Sequence, residues 1–207
     1  MICKGRSFLL AAGVASMVLA AGHAHGANPF MLTGARTTQP VGHYELCKRM
    51  PSECNPGQAA SQPVELTRTL WKTMLEINHA VNVAVAPKTD YEIWGREEVW
   101  SYPQGVGDCE DYVLEKRRLL MKAGVPSGNL LITVVRQPNG DGHAVLTVNT
   151  SYGDFILDNL QPRVLAWTDT DYRYLKRQST RNAGAWVGIE DGRSVAVLDA
   201  HPGTGIA

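Results

Sequence analysis

Cys109 stands among acids in the run Gly107-Asp108-Cys109-Glu110-Asp111-Tyr112. Val113, Leu114, Lys116, Arg117, Leu119 and Leu120 follow at helical spacing and Gly124 and Pro126 end the run, which predicts a helix with the cysteine in its first turn. The unpaired N–H groups and the positive end of the dipole there favour the thiolate, the nucleophilic form of cysteine. Asp108 is expected as the N-cap, with Asp111 as its capping-box partner. The competing reading is a small buried residue on a core-facing helix, which is what most free cysteines are.

A base and its orienter can be read downstream. Gly140 to Gly142 is a turn, and His143-Ala144-Val145-Leu146-Thr147-Val148-Asn149 alternates as a strand that opens on the histidine. A second turn at 151–154 and the run Phe155-Ile156-Leu157-Asp158 complete an antiparallel hairpin. With an even loop, opposed positions have odd sums, so His143 and Asp158 share a face. A histidine alone at a strand start is usually structural. Oriented by a carboxylate and set beside a thiol at a helix start, it is part of the nucleophile, base and orienter set of acyl transfer.

Several stretches taken together resemble a known family. They are Trp100 with Pro103, residues 107–112, Lys116-Arg117, Ala123-Gly124-Val125-Pro126, Gly142-His143-Ala144-Val145-Leu146 and Leu157-Asp158-Asn159-Leu160. From about Pro63 to Ser179 the chain resembles the bacterial transglutaminase-like cysteine proteinases, a family that includes the LapG periplasmic proteases. The resemblance implies an α+β, papain-like transglutaminase-core fold, its antiparallel sheet packed against the helix that starts at the catalytic cysteine. It implies Cys109, His143 and Asp158 as the triad and a calcium ion at the acids matching Asp108 and Glu110. It also implies a periplasmic protease that cuts a protein substrate such as a cell-surface adhesin, with an inner-membrane receptor as regulatory partner. Residues 172–179 resemble the family as well, with no role legible in them.

Three acids within four residues repel one another, and a hard divalent cation would relieve this, with Asp111 as a further ligand. Acids in a first helical turn are also ordinary dipole residues, and no EF-hand loop is present. The triad chemistry is shared by transglutaminases and other amide acyltransferases, since all pass through a thioester. A non-catalytic periplasmic binding protein of this fold is a second class, and would be expected to lack a triad position.

The elements that must hold these residues follow from the rest of the chain. Lys4 and Arg6 precede an apolar run from Phe8 to Ala21 and then small residues, which reads as a signal peptide over 1–26. No second apolar segment of membrane length follows, so a soluble exported protein without membrane insertion is expected. The remaining length suits one domain. Twenty basic and twenty acidic side chains cancel, which leaves no electrostatic footprint for nucleic acid or anionic lipid. Residues 27–62 are rich in Gly, Pro, Ser and Thr and are expected to wrap the domain as a loop pinned by a Cys47–Cys54 disulfide. That leaves Cys109 as the free thiol, and no close Cys/His pair suggests zinc.

The proteinase domain is expected over 63–199, with a tail at 200–207. A helix from Pro63 to Pro87 carries the stripe Leu66, Leu70, Trp71, Met74, Ile77 and Val81, with His79 off its centre. Trp100, just before the nucleophile, is expected as a wall of the cleft. Strands at 130–136, 143–149 and 154–158, with further ones at 164–167 and 185–189, give the sheet.

Overall fold

The structure is a computed structural model that describes residues 28–55 and 62–190. The signal peptide and the tail expected at the two ends lie outside the described residues. In chain order the elements are β1 (Thr33–Thr37), α1 (Val41–Arg49), a 3-10 turn (Pro51–Glu53), α2 (Arg68–Ala84), β2 (Ala86–Pro87), α3 (Asp90–Trp94), β3 (Val106–Gly107) and α4 (Cys109–Lys122). Then follow β4 (Leu130–Arg136), β5 (Gly142–Thr150), β6 (Gly153–Leu157), β7 (Leu165–Ala166), β8 (Arg173–Ser179) and β9 (Asn182–Ile189).

Seven strands form one sheet in the order β1-β9-β8-β4-β5-β6-β7, each neighbouring pair antiparallel. Alternation along β5 decides what each face carries. Ala144, Leu146 and Val148 pack with Val113, Leu114 and Leu120 of α4 and Met74 of α2, while Val145 packs on the other face with Met31, Ile156, Trp167 and Tyr174. The fold is the expected α+β class, with α2 and α4 packed on each other and on one face of the sheet.

Residues 28–55 are not the expected loop. β1 pairs with β9 at the sheet edge, and α1 buries His43 and Leu46. Neither was legible, because β1 is exposed on both faces and α1 has no side-chain cap and a narrow apolar face. The Cys47–Cys54 disulfide is present, with its Cα atoms 5.5 Å apart, and Cys109 is free. The disulfide joins α1 to the turn carrying Glu53, whose carboxylate pairs with buried Arg117 of α4 at 3.2 Å.

The α2 stripe lies in the core as expected, and His79 is exposed. The helix itself starts later than Pro63, where the Thr67 hydroxyl accepts from Leu70 N–H at 3.1 Å. It ends before Pro87, which pairs in β2 with Gly107 of β3. Trp100 is 3 % exposed and packs edge-on against His43 and Trp186, so it belongs to the core and is not a cleft wall. Gly42 admits it, since a Cβ there would collide with the indole.

Candidate active site

α4 begins at Cys109 because the small β2–β3 pair and a tight turn deliver the chain there. Gly107 is forced by close approach, since a Cβ would meet the Asp111 carboxylate at 2.7 Å. Asp108 occupies the N-cap position but makes no side-chain cap, and Asp111 is not its capping-box partner. Asp111 accepts instead from Ser101 N–H at 2.8 Å, tying the preceding loop to the helix. Tertiary contacts outside the turn have taken both carboxylates from local capping.

β6 ends at Leu157 opposite Leu146, so β5 has no β6 partner from Val145 back to His143. That open edge meets the start of α4. The Cys109 thiol, partly exposed, lies by the backbone N–H of Ala144, the residue after the histidine. His143 donates from Nε2 to Asp158 Oδ1 at 2.8 Å, on the shared face that odd-sum register requires. Both side chains are buried. The neutral ring then carries its lone pair on Nδ1. Burial raises the Asp158 carboxyl, but His143 and Tyr172 outweigh this and hold it below its usual value. Asn82 of α2 fixes the backbone here, donating to Asp158 C=O at 2.8 Å.

Cys109 itself is hydrogen-bonded to Glu110 Oε2 at 3.1 Å, and no bond joins it to His143 among the described residues. The expected preference for thiolate is reversed by the protein groups. Burial and then the Glu110 charge push the thiol well above its ordinary value, and the Ala144 N–H only partly opposes them. Burial and the charge of Asp108 likewise raise Glu110 to about 9, and burial raises Asp108 and takes Asp111 to about 7.

The third member of this acid cluster was missed in the sequence. Asp90, 1 % exposed at the start of α3, lies with Asp108 and Glu110 so that one ligand oxygen from each falls within 4.8 Å of the others. Asp90 Oδ1 and Asp108 Oδ1 are buried without a hydrogen-bond partner. Orphaned carboxylate oxygens around a shared point suit a hard cation such as calcium, so the residues fit that group. Asp111, expected as a further ligand, is not in the cluster. No sequence signal couples residue 90 to 108, because the β2–β3 pairing brings them together.

His43, Cys47 and Cys54 also cluster, contrary to the expectation of no Cys/His group, but the sulfurs are bonded to each other and are not thiolate ligands. Lys116 of α4 is fully buried, with Nζ lacking a hydrogen-bond partner and 5.8 Å from the Tyr112 ring. Burial lowers it to about 7 against the opposing charge of Asp158.

The sequence model of the bacterial transglutaminase-like cysteine proteinases matches residues 33–194. The chain belongs to that family. A calcium-bound structure of Legionella pneumophila LapG is similar at 26 % identity and a TM-score of 0.50, covering 57 % of this chain and 68 % of that one. A second LapG structure from the same organism has 29 % identity and a TM-score of 0.48, over 63 % and 76 % of the two chains. No curated protein matches the chain in sequence. No helix among the described residues is long and apolar enough to cross a membrane.

Proposed function

We propose that this cysteine proteinase hydrolyses an exported protein substrate in the periplasm through Cys109, His143 and Asp158, with calcium held by Asp90, Asp108 and Glu110. The observation that carries the triad is the buried His143–Asp158 bond beside the residue that contacts the Cys109 thiol. His143 Nδ1 takes the Cys109 proton as the sulfur attacks the scissile carbonyl carbon. The start of α4 offers backbone N–H groups to the tetrahedral oxyanion. Its collapse breaks the C–N bond to a thioester, and His143 returns the proton to the leaving amine. Water, deprotonated by His143, then releases the acid and regenerates the thiol. The reaction requires the thiol to leave its contact with Glu110 for His143, since catalytic hydrogen bonds tighten only once substrate is bound.

Two features support calcium: the orphaned oxygens of Asp90 and Asp108, and the calcium-bound state of the similar LapG. A bound cation would supply positive charge that offsets the acid cluster and favours a thiolate beside it. Resemblance to LapG proteases supports a surface adhesin as substrate and an inner-membrane receptor as partner. The test is incubation of the mature protein and its Cys109→Ala variant with candidate exported adhesins, followed by mapping of new termini. Discrete termini formed by the wild type alone are expected. Amine incorporation without new termini would indicate acyl transfer instead.

A further inference from the structure

We infer that Tyr172 is a positioning residue for the triad, clamping Asp158 through its hydroxyl and covering the His143–Asp158 bond with its ring. The inference rests on the triad reading. Asp158 Oδ1 already accepts from His143 Nε2 at 2.8 Å and from Leu160 N–H at 2.9 Å. Oδ2 accepts from the Tyr172 hydroxyl at 2.6 Å. With a donor on each oxygen and the Asp158 carbonyl held by Asn82, the carboxylate has one orientation, and His143 inherits it.

The ring has a second role. Its centroid is 5.5 Å from that of His143 with the planes at 60°, an edge-on contact. His143 and Asp158 are 5 % and 1 % exposed, whereas Tyr172 is half-buried. Tyr172 and Asp158 together line a cleft of about 320 Å³ that also takes in Leu160 and Asp171. The phenol packs against the His143–Asp158 hydrogen bond, whose two residues are almost fully buried, and a water-excluded bond of this kind is stronger than a wetted one.

Its platform is rigid. Tyr172 immediately precedes β8, whose Arg173 pairs with Arg136 of β4, and Tyr174 is anchored by the Thr170 hydroxyl at 2.9 Å and the Trp167 ring. This gives a role to a stretch in which sequence reading found none.

The two roles separate in Tyr172→Phe, which keeps the cover and loses the clamp, and Tyr172→Leu, which loses both. In calcium-containing buffer, the readouts are the ring N–H signal of His143 in ¹⁵N-histidine-labelled protein, assigned by its loss in His143→Ala, and the rate of Cys109 alkylation by iodoacetamide against pH. Tyr172→Phe is expected to keep a slowly exchanging ring signal, shifted in frequency, and to slow alkylation about three- to tenfold, a fraction of what one hydrogen bond to a charged group is worth, since Tyr172 acts on the thiol only through Asp158 and His143. Tyr172→Leu is expected to lose the protected signal to exchange and to alkylate more slowly still. A merely structural residue would lower the melting temperature and leave ring exchange in the folded protein unchanged. If both variants match the wild type in ring exchange and alkylation while Asp158→Asn and His143→Ala slow alkylation, the Tyr172 inference is wrong and the triad stands. If the latter two also leave alkylation unchanged, the triad reading falls and the inference with it.

Discussion

Two buried carboxylate sites, one bonded to His143 and one beside Cys109, are treated by the protein in opposite ways. At Asp158 both oxygens have donors and the group is held below its usual value. At Asp90, Asp108 and Glu110 two oxygens have no partner, and burial with mutual repulsion pushes Asp108 and Glu110 up. A buried carboxylate is costly unless its lone pairs are met. The difference teaches that the Asp158 side is completed by the chain itself, as the proposed role of orienter requires. The other side has the composition of a cation site, and its Glu110 charge adds to burial in raising the thiol next to it. A third buried group, Lys116, feels the Asp158 charge, but its Nζ has no hydrogen-bond partner.

The sharpest way to break the contrast is to remove the groups proposed to react. Cys109→Ala and His143→Ala are each expected to lower cleavage of an established substrate by at least about 10³-fold, measured as the single-turnover rate. Retained cleavage in either would move the chemistry elsewhere. Asp158→Asn is expected to fold normally and to lose about 10²- to 10³-fold, because an amide can hold the wrong tautomer and cannot balance the imidazolium. Activity close to wild type would mean that the completed side does not orient the base.

On the other side of Cys109 the expected change is in ligand-dependent stability. Saturating calcium at a hundred times its dissociation constant should add about 2.7 kcal/mol. For a chain of this size that is about 5–10 °C in melting temperature. The gain should vanish in Asp90→Ala and in Glu110→Ala. Melting curves with calcium and with chelator read this directly, and a full gain in Asp90→Ala would remove Asp90 from the site.

Lys116→Met should give the smallest effect and the clearest pH signature. Lys116 is lowered from 10.5 to about 7, so between those values the unfolded chain binds a proton that the folded chain does not. Its contribution to stability therefore rises with pH across that window, and the burden is complete below about pH 7. Replacing it should stabilise the fold by on the order of 2 kcal/mol near pH 6. The gain should shrink as pH approaches 10. Urea unfolding of both proteins at two pH values tests this, and an equal gain at both would contradict it.

Sequence carried the hairpin and its odd-sum register because β5 and β6 are short, alternating and joined by a tight turn, so His143 and Asp158 could be paired by counting. It carried the disulfide because the two cysteines are close in the chain. It did not carry α1 or β1, whose apolar signal is thin, nor the capping of α4, where Asp111 bonds Ser101 instead of the helix start. Asp90 and Tyr172 reach the site by long-range pairing, β2 with β3 and β8 with β4, and nothing local marks them. The thiol's environment is illegible in the sequence for a related reason. The dipole was legible, but the desolvation and the Glu110 charge that outweigh it appear only once α4 is packed.

The most direct measurement is the pH dependence of Cys109 alkylation by iodoacetamide, followed by mass spectrometry, in calcium and in chelator. With chelator the midpoint should lie above the ordinary cysteine value of about 8.5. With calcium it should fall by at least about one unit, and Glu110→Ala should abolish the difference. Coincident profiles in calcium and chelator would contradict the account, because the acid cluster would then have no hold on the nucleophile.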